Sequence, residues 1–160
     1  MGYPEDLLEH AKRLYDLSSG PAPEQVDLRR AVSAAYYALF HLLTLEAAQN
    51  WSHERQRHQF ARLFEHSRMR KCCESLKNRL AQRLAKGSDV EAAATLQEVA
   101  DAFVQLQSQR HSADYEISRQ WTQIETLRAI TLSETAIARW IEIRGTEVAQ
   151  DFLFDLMGTR

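Results

Sequence analysis

One stretch of the chain sets four reactive side chain types at helical steps: Arg30, Ser33, Tyr37 and His41. Steps of three, four and four residues put them on one face of a helix. Together they offer a cation suited to phosphate and an imidazole that exchanges protons near neutral pH, with two hydroxyls beside them. The competing reading is that Ser33, Tyr37 and His41 satisfy one another in a buried seam, as polar networks in helix packing do. A second stretch, Arg110-His111-Ser112-Ala113-Asp114-Tyr115, places Arg110 and Asp114 four residues apart. On a continuous helix that spacing pairs them. The pair is either a surface bridge worth under ~1 kcal/mol or a carboxylate that orients Arg110 towards a phosphate.

The elements that must position these groups are helical. Apolar residues recur at three and four almost everywhere, and strand alternation is missing. A first helix is expected from Pro4 to Leu17, with Leu7, Leu8, Ala11, Leu14 and Tyr15 as its stripe. The loop 18–23, Ser-Ser-Gly-Pro-Ala-Pro, ends it. A long helix covers 24–49. Its Val32, Ala35, Tyr36, Leu39, Phe40 and Leu43 look like core, and small residues at 31, 34, 35 and 38 invite close helix approach. Ser52 is placed to cap the next helix; 53–66 and 68–86 read as one broken helix or two, closed by Gly87, with Arg62 and His66 as a surface pair four apart. Ser88 to Glu91 reads as a capping box starting a helix to at least Gln109, with a break expected over 110–118. Helices over 120–143 and up to Met157 complete the chain. Trp121 and Trp140, together with Ile124, Leu127, Leu132, Ile137 and Ile141, read as core or dimer seam. The reading is one all-α domain, residues 1–160, folded as an antiparallel bundle of five to six helices.

Composition fits a folded domain: 44% hydrophobic and 26% charged, with few Gly and Pro. The charged N-terminus argues against a secretory signal, and no apolar run near ~20 residues was expected to cross a membrane. Adjacent Cys72 and Cys73 do not favour a mutual disulfide and read as core filler plus one half-exposed thiol. A cytoplasmic location is the expectation. Net charge is −2, unevenly distributed: ten basic against three acidic residues from Trp51 to Gly87 leave +7 there and −9 elsewhere. That block is either a phosphate footprint or a set of charges facing acidic helices of the same molecule. His53 and His58 diverge on a helix, so no metal site is expected there. No phosphate loop, dinucleotide fingerprint or nucleophile elbow occurs, and no cofactor is expected.

The Ser33-x-x-Tyr36-Tyr37-Ala38-x-Phe40-His41 helix, followed by Arg110-x-x-Ala113-Asp114-Tyr115, resembles the HEPN superfamily. The resemblance rests on these two motifs and their order, and the bundle it implies covers most of the chain. It implies a homodimer, often encoded beside a minimal nucleotidyltransferase acting as antitoxin. Active members carry an arginine and, four to six intervening residues later, a histidine, and cleave RNA without a metal. The arginine holds the scissile phosphate, the histidine acts on the 2′-hydroxyl or leaving group, and two sites meet at the dimer interface.

Here the sequence departs from the pattern, because the position expected of the histidine holds Tyr115. A phenol titrates at about 10 and an imidazole at about 6.5, so a tyrosine is the poorer base at neutral pH. His111 and His41 are the substitutes if folding brings either beside Arg110. The sequence thus points to Arg110, Tyr115, His111 and His41 as catalytic candidates, and to Arg30, Ser33, Tyr37 and Asp114 as phosphate or RNA contacts. The alternatives are a non-catalytic homodimeric module binding a nucleotidyltransferase or a nucleotide, and an adaptor using the 51–87 block.

Overall fold

The computed structural model describes residues 2–84, 87 and 89–158. Among them lie seven α-helices, one 3-10 turn and no strand. They are α1 (Tyr3–Leu17), α2 (Gln25–Gln49), α3 (Arg57–Ala61), α4 (His66–Leu84), α5 (Val90–Tyr115), α6 (Gln123–Ile143) and α7 (Glu147–Asp155), with the turn at Glu54–Gln56. The all-α bundle expected from periodicity is present, with more helices than the five to six expected.

α2 is the axis of the bundle. Leu28, Val32, Tyr36, Leu39 and Leu43, all fully enclosed, face Leu96, Val99, Phe103 and Leu106 of α5 and Trp140 of α6 within one continuous core. The opposite flank of α2 carries Ala31, Ala34 and Ala35, and α1 lies on it through Ala11, Leu8 and Leu14, joined by Ile130 of α6. Small side chains there let the helix axes approach. Apolar groups on so many sides make a buried helix. By length and composition α2 would also suffice to cross a bilayer, contrary to the sequence expectation; 72% of that window is buried inside the bundle.

The 53–66 stretch is not one helix. Trp51 stacks on Phe60 at 5.1 Å, and Phe64 is buried. Those two anchors fold the segment back over α2, so that α3 stops at Ala61 and α4 starts afresh at His66. Ser52 caps nothing, and no side chain caps the 3-10 turn. Ser88, expected as the cap of α5, lies outside the described residues, as does Lys86. Asp89 does the capping, accepting from the backbone N–H of Glu91 and Ala92. Cys72 and Cys73 are both buried, so neither is a half-exposed thiol.

The basic block is largely answered by carboxylates. Arg57, Arg68 and Arg70 pair with Glu54, Glu65 and Glu74 on neighbouring turns. Arg79 and Arg83 of α4 reach across to Asp155 and Asp151 of α7. Two of the seven excess charges therefore dock α7 on α4.

α5 does not break at Arg110 but runs to Tyr115. Its end is closed from a distance: the Arg29 guanidinium of α2 donates to the backbone carbonyls of Ala113, Glu116, Ile117 and Arg119. A cation at a helix C-terminus satisfies the orphan carbonyls and opposes the negative end of the dipole. Nearby, Gln25 and Trp121 exchange two hydrogen bonds of 2.8 Å, side-chain amide against backbone. Thr122 and Glu125 then form the capping box that starts α6.

Candidate phosphate-binding site at the α2, α4 and α5 junction

Arg110 projects from α5 onto the aromatic stripe of α2. Its guanidinium carbon lies 5.2 Å from the Tyr36 ring centre and 5.8 Å from that of Tyr37, within cation–π range. Only 12% of its side chain is exposed; among the described residues its enclosed Nε has no hydrogen-bond partner and its carboxylate neighbour is Asp114 at 3.7 Å. Asp114 also accepts a long hydrogen bond from the Ser33 hydroxyl, 3.5 Å. The arginine is thus held by rings, while most of its donors stay uncommitted. Guanidinium donors so placed suit a phosphate.

Two imidazoles pack on the aromatic side chains around it, and the nearer, His66, feels its charge. His41 stacks on Tyr37 at 5.9 Å. His66, the first residue of α4, stacks on Phe40 at 4.2 Å and packs edge-on against Tyr37. Its backbone carbonyl accepts from the Gln107 amide at 3.1 Å, one turn before Arg110 on α5. Burial lowers both histidines from their ordinary value, and for His66 the charges of Arg110 and His41 lower it further. Both imidazoles are therefore neutral at pH 7.

The Tyr36 hydroxyl oxygen lies 2.6 Å from His66 Nδ1, a hydrogen bond in which the tautomer of the ring sets the donor. Burial raises the Tyr36 phenol well above its ordinary range, with Arg110 opposing only in part, so the phenol keeps its proton. A protonated phenol that donates to Nδ1 leaves the ring proton of His66 on Nε2, the form that can donate to a ligand.

Of the residues expected from the sequence, the fold brings Arg110, Asp114, Ser33 and Tyr37 together, with His41 stacked on Tyr37. Arg30 is exposed and makes no hydrogen bond or ion pair among the described residues. His111 and Tyr115 pack on each other at 4.9 Å, both exposed, one residue step around α5 from Arg110 and Asp114. Sequence reasoning missed His66, assigned to a helix with Arg62 that does not exist, and missed the polar role of Tyr36, assigned to core. The Phe60 and Phe64 anchors were the available signal for His66, since they close α3 before it. No group of three or more His, Cys, Asp or Glu side chains converges as metal ligands among the described residues.

Comparison with protein-family models, curated proteins and solved structures finds no match. The chemical reading of the site therefore stands on its geometry alone.

Proposed function

We propose that this protein is a nucleic-acid-associated bundle of HEPN type that binds an RNA phosphodiester at Arg110 and cleaves it without a metal. The observation that carries the reading is a guanidinium clamped by two tyrosine rings, with neutral His66 held by one of them and neutral His41 stacked on the other. Arg110 holds the scissile phosphate, and the His66 Nε2–H donates to a phosphoryl oxygen where charge builds up. His41, neutral, takes the proton of the 2′-hydroxyl and returns it to the departing 5′-oxygen. The 2′-oxygen bonds to phosphorus as the bond to the 5′-oxygen breaks, leaving a 2′,3′-cyclic phosphate and a 5′-hydroxyl. In this scheme His41 and His66 take the place of the histidine that Tyr115 replaces. Ile124 and Leu127, exposed along an open apolar groove of α6, support a homodimer as the working unit.

The test is digestion of mixed RNA in chelator by the wild-type protein and by Arg110→Ala and His41→Gln variants. Cleavage with cyclic phosphate ends, lost in both variants while their helical content is kept, is the expected result. Intact RNA with folded wild-type protein would turn the reading to a non-catalytic module that binds a nucleotidyltransferase or a nucleotide.

A further inference from the structure

A groove of about 730 Å³ opens next to this site. Tyr3 of α1, Phe40 and His41 of α2, His58 and Arg62 from the 57–65 segment, and His66 of α4 line it. His41 and His66 belong to both places, so a ligand that fills the groove touches the same imidazoles as the phosphate. The walls are unusual for a protein surface. Tyr3 is 56% exposed although aromatic, and its ring meets His41 edge-on at 4.9 Å. Arg62 is exposed and has no ion-pair partner among the described residues, although most arginines around it are paired.

A planar, uncharged, hydrogen-bonding ring next to an anion is what such walls suit. Flat side chains supply stacking surface, and Arg62 and the histidines supply donors around its edge. The volume falls in the ordinary range for small-molecule sites. An apolar peptide side chain would leave the donors unused.

We propose that this groove is a nucleobase subsite: Tyr3 stacks on the base of the nucleotide whose phosphate is held at Arg110, and Arg62 and His58 face its edge. The proposal rests on the phosphodiester reading of Arg110 and adds to it that the neighbouring base is unpaired and splayed out. A base inside a duplex is stacked on both faces and cannot enter.

The experiment uses the full chain and two fluorescent strands that 2′-hydroxyl attack cannot cut: a short 2′-O-methyl oligoadenylate and its abasic counterpart. Anisotropy titrations compare the wild-type protein with Tyr3→Ala, Tyr3→Phe and Arg110→Ala. Tyr3→Ala is expected to weaken oligoadenylate binding about tenfold and leave abasic binding unchanged, with Tyr3→Phe close to wild type. Arg110→Ala is expected to weaken both strands. If Tyr3→Ala leaves oligoadenylate binding unchanged, or weakens both strands equally, while Arg110→Ala still weakens both, the base subsite falls and the phosphate site stands. If the wild-type protein binds neither strand, the phosphodiester reading falls and the subsite with it.

Discussion

Arg79 and Arg110 are both largely enclosed, and both hide an Nε with no partner. Around Arg79 the terminal nitrogens are taken: one meets Asp155 of α7, and the other donates to the Cys72 carbonyl at 2.7 Å. Around Arg110 there are two tyrosine rings and a carboxylate 3.7 Å away. Rings hold a guanidinium by its face and leave its edge free, whereas carboxylates and carbonyls use up the edge. Arg79 joins helices, whereas Arg110 is the cation that the proposed function gives to a ligand. In the dense basic block Arg70, Arg79 and Arg83 are of the first kind, reaching α5 or α7.

Exchanging each arginine tests that division. Arg110→Ala is expected to weaken binding of the 2′-O-methyl strand by about a hundredfold, as for the loss of two charge-assisted hydrogen bonds. Arg79→Ala should leave that affinity within twofold and cost about 2 kcal/mol in urea unfolding, because Asp155 and the Cys72 carbonyl lose their donor. An Arg79→Ala protein that is fully stable but unable to bind the strand would reverse the assignment.

The histidines give a smaller, pH-dependent contrast. A histidine whose folded value is lowered binds fewer protons folded than unfolded between the two values. Stability from keeping His41 and His66 neutral is therefore complete above about pH 6.5 and is lost as pH falls below that towards their lowered values. A His66→Gln variant should flatten the acid side of the urea-midpoint profile below pH 6.5 and leave the alkaline side as it was. An unchanged acid limb would mean that His66 is not held neutral by its surroundings. The smallest effect is expected from Tyr115→Phe, within about twofold in strand affinity, since the hydroxyl stands away from Arg110 in an exposed ring pair.

Much of this was legible in the sequence where the cause is local. Helical periodicity set out α1, α2, α5 and α6, the alanines of α2 marked a close helix contact without naming α1 as the partner, and the spacing of Arg110 and Asp114 allowed the pairing that a continuous α5 then makes. What escaped was caused by distant residues. α5 passes through its polar 110–115 stretch because Arg29, more than eighty positions earlier, closes its carbonyls. His66 reaches Arg110 because α3 stops short, an event fixed by stacking on Trp51. Tyr36 was rightly placed among buried residues, but burial of a phenol also demands a partner, and no spacing rule names His66 as that partner. The helix count failed for the same reason, because short helices are set by packing more than by periodicity.

The Arg29 clamp has one more implication. By tying the end of α5 to the start of α2, it joins the arm that carries Arg110 to the helix that carries its rings. Two helices so tied keep their register at that end, so an exchange of Arg29 for alanine would leave the last carbonyls of α5 unanswered and let Arg110 drift from its rings without touching either.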